Sequence, residues 1–301
     1  MSRLVIIDTM GVVHRAFHAM PKFTRAGDGR SVGAIGGFWQ IVHKTLKLTN
    51  AVGDDLIAFA SDHPGPTFRH GLCPTYKANR PEKPSDLSAQ IGDILGTIDT
   101  SGIDLLQVPG FEADDVMATV AAARHADGKR TIIVSADKDM MQMMPFATLF
   151  GWVHEERINE HGKPFKIFVQ RELTLDDCRT RLGCLPIHVP TALALIGDAT
   201  DNVIGVEGVG EKTAARLIEA YGGLEAIYAA VPAMQNESLK DKLIRGETAA
   251  LLALELVTLR TDVPAVPSIW STVDDIDWGR LAEELREFGL VSAPDQIERG
   301  L

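Results

Sequence analysis

Short apolar runs rich in β-branched residues recur through the first half of the chain, and segments with helical spacing of apolar residues lie between them. Strands that alternate with helices predict a parallel sheet covered by helices on both faces. We therefore predict an α/β fold with a central, mostly parallel sheet. The predicted strands are Leu4–Ile7, Leu56–Ala60, Leu105–Val108 and Thr131–Val134, and the predicted helices are Gly37–Leu48, Leu87–Ile98 and Val116–Arg124.

The pattern changes after this alternating region. Apolar runs at Thr148–Val153 and Phe165–Val169 flank a polar stretch, which predicts a β-hairpin or a loop-rich excursion. From Pro190 onward, the segments TALALIGD, AARLIEAYGG and TAALLALELVTLR carry apolar residues at three-to-four spacing and predict helices. A glycine-dense string, GVEGVGEKT, separates the first two of these helices, and Leu281–Phe288 is amphipathic.

The composition limits the number of domains and the classes of protein to which the chain can belong. With 301 residues, 45% of them apolar, the chain can bury a core and form one or two domains. No uncharged apolar run is long enough to span a bilayer, and the start MSRLVIIDTM lacks the features of a secretion signal. We therefore expect a cytoplasmic protein without a membrane partner. Cys73, Cys178 and Cys184 are scattered and predict neither a disulfide framework nor a zinc site.

The net charge of −11 argues at first against a nucleic-acid partner, because contacts to phosphate usually come from Lys and Arg. The charge is unevenly distributed, however. The segment at about residues 63–86 holds five prolines and is locally basic. So much proline opposes a stable packed helix, and we expect an exposed, partly mobile excursion. Its basic residues are Arg69, Lys77, Arg80 and Lys83.

Aspartates end three of the predicted strands. Asp8 ends the first, Asp62 follows the second, and Asp137 follows the fourth, with Asp139 in the same turn. The carboxyl ends of parallel strands lie along one edge of a sheet, where ligands usually bind. We therefore expect these acids to converge, although each on its own is more typical of a turn or a helix cap.

Further acids occur in two loops. Glu112, Asp114 and Asp115 surround a predicted helix start, where one acid suffices to cap the helix and three exceed that need. Asp198 and Asp201 lie in the polar loop GDATDN. So many carboxylates in one cleft require bound cations or raised pKa values. All-oxygen ligands indicate Mg²⁺ or Mn²⁺, and the number of acids favours two ions, as in phosphodiester hydrolases.

The strings IIDTMGVVHRAFHA, FASDHPGPTFRHGLCPTYKANRP, VPGFEADDVMATVA, VSADKDMMQ, LIGDATDNVIGVEGVGEKTAARLI and LVTLRTDV occur in this order. As a set they resemble the 5′→3′ exonuclease domain of bacterial DNA polymerase I, within the flap-endonuclease family. The resemblance runs from about Arg3 to Asp262. The chain departs from the family's usual DGSS start at Asp8–Gly11, and Ala136 stands where a glycine is usual.

The resemblance implies a metal-dependent nuclease core in which Lys77, Arg80, Asp114 and Asp115 are catalytic. It implies one ion near Asp62, Glu112 and Asp114, supported by Asp8, and another near Asp137, Asp139 and Asp198. Asp115 and Asp201 would bridge through water. The proline-rich basic segment at about residues 63–86 corresponds to the family's helical arch over the active site. The implied metal ligands are Asp8, Asp62, Glu112, Asp114, Asp115, Asp137, Asp139, Asp198 and Asp201.

The string GVEGVGEKT resembles a helix–hairpin–helix DNA-binding turn. Its glycines would allow backbone N–H groups to approach a phosphate, and contacts to the backbone predict recognition of DNA shape rather than sequence. The resemblance also implies K⁺ at the hairpin carbonyls and a base stacked on Tyr76. The expected DNA contacts are Arg15, Arg69, Tyr76, Lys77, Arg80, Gly205, Gly208, Gly210, Lys212 and Thr213.

The leading hypothesis is a structure-selective 5′ nuclease that acts on DNA flaps, nicks and free 5′ ends and leaves 5′-phosphates. The alternatives are a catalytically weak DNA-junction binder and a PIN-type ribonuclease. We expect a monomer, with a DNA polymerase as a functional associate. The predicted divisions are a nuclease core at 1–184, a helical subdomain with the DNA-binding hairpin at 185–262, and a helical tail at 263–301.

Overall fold

One large sheet forms the centre of the molecule. Its strands lie in the order β3-β2-β1-β4-β5-β6, and all neighbours are parallel except the antiparallel pair β5 and β6. The predicted α/β fold is thus confirmed. In chain order the strands are β1 (Leu4–Asp8), β2 (Leu56–Ala60), β3 (Asp104–Leu106), β4 (Thr131–Val134), β5 (Thr148–Ile158) and β6 (Pro164–Glu172). The computed structural model describes residues 2–20, 23–160, 162–264, 266 and 270–298.

The central strand β1 explains why the predicted strands read as continuous apolar runs. All five of its residues are buried, and it pairs in parallel with β2 on one side and β4 on the other. Leu4 lies opposite both Leu56 and Thr131, so the three strands begin at the same level. They therefore also end at the same edge of the sheet.

Helices cover the sheet and form the second half of the chain. The helices predicted in the first half lie inside α2, α4 and α5, and those predicted after Pro190 overlap α7, α8 and α10, whereas α1, α3, α6 and α9 are not predicted. In the described part of the chain, no helix has the length and apolar character needed to cross a bilayer. The helices are α1 (Thr9–Ala19), α2 (Gly33–Leu48), α3 (Phe68–Leu72), α4 (Ser85–Ser101), α5 (Ala113–Ala126), α6 (Leu175–Leu182), α7 (Val189–Ile196), α8 (Glu211–Tyr221), α9 (Leu224–Ala230), α10 (Glu237–Val257), α11 (Trp278–Glu287) and α12 (Ser292–Glu298).

The two faces of the sheet bury two separate cores. Leu4 and Ile6 join a core with residues of α5 and the helical second half, whereas Val5 and Ile7 join a core with residues of α1, α2 and α4. This division follows from the alternation of side chains along a strand. Because both faces are covered, ligands can reach the sheet only at its edges and at its strand ends.

The hairpin formed by β5 and β6 confirms one of the two sequence alternatives for this region. Its ladder runs from Phe150 opposite Glu172 to Ile158 opposite Pro164. The outer part extends beyond the core, and the side chain of Ile158 is 73% exposed.

The C-terminal residues pack back onto the sheet layer. Thr272 forms an isolated antiparallel bridge with Leu56, and the Ile57 N–H donates to the Ser271 carbonyl at 3.0 Å. Leu281 and Leu285 of α11 are fully buried in the core that contains α2 and α4. The segment predicted as a tail therefore closes one face of the core. The domain boundaries themselves remain a prediction.

Candidate active site

Three aspartates meet at the carboxyl edge of the sheet. Asp8 is the last residue of β1, and Asp62 and Asp137 lie just beyond the ends of β2 and β4. Since β2, β1 and β4 are adjacent, the three carboxylates line one cleft of about 660 Å³. The same cleft is lined by Glu112 and Asp114, so five of the predicted ligands come together there.

The carboxylate of Asp8 is held by its surroundings. It caps α1 by accepting a hydrogen bond from the Gly11 N–H at 2.8 Å, and it accepts another from the Ser135 hydroxyl at 2.9 Å. Burial raises the pKa of Asp8 to about 6, although these two hydrogen bonds lower it. A Cβ at Gly11 would lie 2.3 Å from Asp8 Oδ2, so a larger residue at this position would require the Asp8 carboxylate to shift.

The start of α5 brings two more acids to the cleft. Glu112 is the N-cap residue of this helix, and the Ala113 N–H donates to Asp62 Oδ1 at 2.9 Å. Asp114 is half-buried. Burial and the nearby charges of Asp137, Asp8, Asp62 and Glu112 raise the pKa of Asp114 well above its ordinary value. The carboxylates of this cleft therefore lie close enough to repel one another.

A second group of carboxylates lies beside the first. The Asp139 N–H donates to Asp137 Oδ1 at 2.8 Å, and the Thr200 N–H donates to Asp198 Oδ1 at 2.8 Å. Burial and the charge of Asp137 raise the pKa of Asp139, and Asp198 and Asp201 add to this effect. The buried Oδ1 of Asp139 has no hydrogen-bond partner within the described structure.

Basic and phenolic groups from the segment at residues 63–86 reach into these acids. Lys77 Nζ donates to Glu112 Oε1 at 2.5 Å and lies 3.7 Å from Asp201 Oδ2. Arg80 also pairs with Asp201. The Tyr76 hydroxyl lies within hydrogen-bond distance of Glu112 Oε2, at 3.1 Å, and of Asp201 Oδ2, at 3.0 Å, and can donate its single proton to either. The structure thus brings Lys77 and Arg80 to the acidic cluster, as the sequence analysis predicts.

Three predicted site residues make their contacts inside the protein. Asp115 is fully buried and accepts two hydrogen bonds from Arg69, at 2.5 and 2.8 Å, and one from the Arg260 N–H at 3.0 Å. Its carboxylate is therefore engaged in the interior and does not join the metal cluster. Arg69 is 2% exposed and Tyr76 4% exposed, so neither presents a surface for DNA. The expectation that this whole segment is exposed is wrong, because these side chains anchor it to the core.

The carboxylates of the cleft fit hard divalent cations. Among the described residues, no three His, Cys, Asp or Glu side chains hold a metal site as they stand. Lys77, Arg80 and Lys138 pair with Glu112, Asp201 and Asp198 in this arrangement. The unpartnered Asp139 oxygen and the raised pKa values of Asp8 and Asp114 are the features that a bound cation relieves. The donors are all oxygens, as Mg²⁺ and Mn²⁺ prefer.

The glycine hairpin divides into structural and open positions. A Cβ at Gly205 would lie 2.4 Å from the Gly197 nitrogen, so close packing of the backbone requires glycine here, and its predicted DNA contact remains a prediction. Gly208 has φ +75°, which a turn there requires. Gly210 is the N-cap of α8 with open space around it, and Lys212 in the first turn is exposed. The predicted phosphate contacts of Gly210, Lys212 and Thr213 remain predictions.

Arg15 connects the cleft with the long hairpin. Its guanidinium carbon lies 3.9 Å from the centre of the Phe168 ring and 4.8 Å from that of Trp152. Burial lowers the pKa of Arg15 to about 10, so the side chain stays charged at neutral pH. Arg15 lines the cleft, and its role as a DNA contact remains a prediction.

Two residues of the site escaped the sequence analysis. Ser135 holds Asp8, and Lys138 donates to Asp198 Oδ2 at 2.6 Å. Both lie in the string VSADKD, directly after a predicted strand and beside predicted ligands. Their position directly after a strand and beside predicted ligands is the sequence feature that could have identified them as site residues.

Comparison with protein families agrees with this geometry. The 5′-3′ exonuclease N-terminal resolvase-like domain matches residues 3–163, and the 5′-3′ exonuclease C-terminal SAM fold matches residues 184–280. The first match alone covers more than half of the chain. The chain belongs to the 5′-3′ exonuclease family.

The similar curated proteins are much longer than this chain. DNA polymerase I of Pseudomonas aeruginosa is 36% identical over 268 residues, which cover 86% of this chain and 27% of that protein. DNA polymerase I of Rhizobium leguminosarum is 32% identical over 265 residues, covering 87% and 25%. The thermostable DNA polymerase I of Thermus thermophilus is 32% identical over 308 residues, covering 98% and 34%. The chain spans about a quarter to a third of the length of these relatives.

Solved structures share the fold at low identity. T5 5′-exonuclease with bound divalent metal ions (zinc) has a TM-score of 0.62 and 17% identity, covering 99% of this chain and 97% of that one. The catalytic core of Rad2 in complex with a DNA substrate has a TM-score of 0.57 and 14% identity, covering 99% and 90%. These structures thus share the mostly parallel central sheet flanked by helices.

Proposed function

We propose that the chain is a metal-dependent 5′ nuclease that hydrolyses DNA phosphodiester bonds near 5′ ends, flaps and nicks and leaves 5′-phosphates. The observation that carries the proposal is the convergence of carboxylates from separate loops beside Lys77 and Arg80 in a member of the 5′-3′ exonuclease family. The named DNA complex of Rad2 and the metal-bound T5 enzyme support this choice of substrate and cofactor.

The proposed cofactor is a pair of Mg²⁺ ions, for which Mn²⁺ can substitute. The first would be held among Asp8, Asp62, Glu112 and Asp114, and the second among Asp137, Asp139 and Asp198. When bound, such ions lower the pKa of the attacking water and offset the charge that develops on the phosphate. Asp201 lies against Tyr76, Lys77 and Arg80, so its contacts support a role in placing these side chains.

Lys77 and Arg80 are the proposed phosphate-binding groups of the cleft. Both line it and both are charged at neutral pH, because the acids around them raise their pKa values against the opposing effect of burial. Released from Glu112 and Asp201, their N–H groups would bind the scissile phosphate and stabilise charge that develops during cleavage. Lys77 has a φ of +58°, an uncommon conformation for a residue with a side chain, and a change of this backbone would move the ammonium.

Binding of the duplex is assigned to surfaces outside the cleft. Gly210, Lys212 and Thr213 at the start of α8 would hold a phosphate, because the first N–H groups of a helix lack intrahelical partners. Arg15 would contact the strand that enters the cleft. K⁺ at the hairpin carbonyls and association with a DNA polymerase follow from the family resemblance and stay predictions, as does the monomeric state.

One experiment separates the hypotheses. The purified protein is incubated with Mg²⁺ and, side by side, with a 5′-flapped DNA duplex, a nicked duplex and a single-stranded RNA. We expect cleavage of the DNA substrates from the 5′ side, with 5′-phosphate products. Binding of the flapped duplex without any cleavage would establish the silent-binder alternative. Cleavage of the RNA alone would establish the ribonuclease alternative.

Replacing Lys77 tests the assigned chemistry within the proposed function. We expect Lys77→Ala to reduce the cleavage rate by about 100-fold, the usual loss when a group that stabilises a transition state is removed. Duplex affinity, measured by fluorescence anisotropy with Ca²⁺ in place of Mg²⁺, should change little. Lys83→Ala is the matched control, because Lys83 lines the same cleft and takes part in none of the ion pairs found in the described structure. Equal losses of rate and affinity would mean that Lys77 only binds backbone.

A further inference from the structure

Lys138 is a basic residue beside the cleft to which the proposed chemistry gives no role. It lies between Asp137 and Asp139 in the loop after β4, and its ammonium donates to Asp198 Oδ2 at 2.6 Å. The side chain of Asp198 is 8% exposed, whereas that of Lys138 is 38% exposed. The lysine therefore covers a buried carboxylate from the solvent side.

The charges around Lys138 keep it protonated. Burial lowers its pKa, but the hydrogen bond to Asp198 and the charges of Asp139, Asp198 and Asp137 raise it by more. Each of these three aspartates is a proposed ligand of the second divalent ion. The ammonium thus lies among the same carboxylates that the ion would use.

A second observation indicates that Asp139, next to Lys138, lacks a cation partner. Asp139 Oδ1 is buried and accepts no hydrogen bond within the described residues, although it is close enough to Lys138, Asp198 and Asp201 to feel their charges. Lys138 satisfies Asp198 and leaves the Asp139 oxygen unpaired. One ammonium therefore balances this group of acids only in part.

The simplest alternative is an ordinary surface ion pair. Exposed pairs contribute little, because water and salt screen both partners. The Lys138–Asp198 pair differs in that one partner is buried, so its carboxylate depends on a nearby cation of some kind. Lys129, whose pair with Asp127 has both side chains at least 49% exposed, is an example of the ordinary case.

We propose that Lys138 is a positioning residue that acts as an internal counter-ion of Asp198 and competes with the second divalent ion for this carboxylate. The inference rests on the metal-dependent function proposed above and adds a regulation of the same site. An ammonium and a divalent ion repel each other across a shared oxygen, so the ion binds only when the lysine swings away. The affinity of the second site is therefore set below that of a cluster without the lysine.

The experiment counts bound ions in the absence of DNA. Mn²⁺ is titrated into the full chain, and free Mn²⁺ is measured by electron paramagnetic resonance for the wild type, Lys138→Met, Lys138→Arg and Lys83→Met. We expect Lys138→Met to tighten the weaker class of sites at least about tenfold, equivalent to about 1.4 kcal/mol. Lys138→Arg keeps the positive charge and should keep the weak affinity, and Lys83→Met controls for loss of charge in the cleft. Circular dichroism confirms that each variant is folded.

The outcomes separate this inference from the proposed function. Unchanged or weaker Mn²⁺ binding in Lys138→Met, in a wild type that still cleaves flapped DNA, would overturn the role of Lys138 and leave the function standing. Equal tightening in Lys83→Met would overturn it as well, because the effect would be one of general charge. A wild type that binds no Mn²⁺ and cleaves no DNA would overturn the proposed function itself. A lower half-saturating Mg²⁺ concentration for cleavage in Lys138→Met would support the inference independently.

Discussion

Asp114 and Asp115 are neighbours in the first turn of α5, yet they belong to two chemically different regions of the molecule. Asp114 faces the acidic cleft, where four other carboxylates raise its pKa. Asp115 faces the interior, where the guanidinium of Arg69 binds both of its oxygens. Successive residues of a helix point in different directions, and one step along the chain is enough to separate a repelled charge from a paired one.

The paired region connects three parts of the chain. Arg69 belongs to α3, Asp115 to α5, and the Arg69 Nε also donates to the Leu256 carbonyl near the end of α10 at 2.7 Å. The Arg260 N–H also donates to Asp115 Oδ1. We call this set the Arg69–Asp115 clasp. The comparison teaches that the fold satisfies the buried charges of the clasp and leaves those of Asp114 and Asp139 poorly satisfied.

The largest expected effect breaks the clasp. Arg69→Met leaves the carboxylate of Asp115 buried without its partner, so we expect the free energy of unfolding to fall by about 3–5 kcal/mol. Urea denaturation followed by circular dichroism measures this loss. The double variant Arg69→Met with Asp115→Leu removes both charges and should recover part of the loss. A single-variant loss below about 1 kcal/mol, as for exposed ion pairs, would show that the clasp is not a structural element.

The cleft should respond in the opposite direction. Asp114→Asn removes one repelled charge, so in EDTA at pH 7 we expect stability to rise by about 1 kcal/mol, the scale of a like-charge contact. The gain should shrink as the pH falls through the raised pKa of Asp114, because the wild-type carboxyl is then protonated and uncharged as well. DNA cleavage in Mg²⁺ should drop by at least about 100-fold, because a proposed ligand is lost. A destabilised Asp114→Asn variant in EDTA would mean that the Asp114 carboxylate is stabilised by partners, as that of Asp115 is, and is not repelled.

The sequence was sufficient for the sheet and for most of the cleft. The central strands were found because they are buried on both faces and therefore read as unbroken apolar runs. Asp8, Asp62 and Asp137 were placed correctly, because parallel pairing alone puts the ends of neighbouring strands at one edge. These inferences need only local pattern and topology.

The clasp could not be found in the same way. GFEADD shows three acids near a helix start, but the pattern does not show which one meets an arginine 46 residues earlier in the chain. The base stack on Tyr76 follows from the family resemblance, whereas the structure places its hydroxyl between Glu112 and Asp201 inside the protein. Side-chain direction and partner choice over such distances are set by packing and not by composition.

The smallest expected effect sharpens the comparison, because a second pair has the same geometry on the surface. Arg171 donates to both oxygens of Asp177, at 2.8 and 3.0 Å, but their side chains are 37% and 15% exposed. We expect Arg171→Met to cost less than about 1 kcal/mol, because solvent screens the pair. Measured beside Arg69→Met, this variant isolates the contribution of burial from that of hydrogen-bond geometry.

The pH dependence of this pair follows from the same contacts. The hydrogen bond from Arg171 lowers the pKa of Asp177 to about 2, with help from Thr174, against the effect of burial. An unfolded chain has the ordinary aspartate value of about 3.9. The contribution of Arg171 is therefore fully present above about pH 4 and disappears as the pH falls through 2, where the carboxyl becomes protonated. Urea denaturation of the wild type and Arg171→Met between pH 2 and 7 measures this difference. A difference that persists unchanged at pH 2 would mean that Arg171 stabilises by packing along β6, and that the two arginine–aspartate pairs differ in kind and not only in burial.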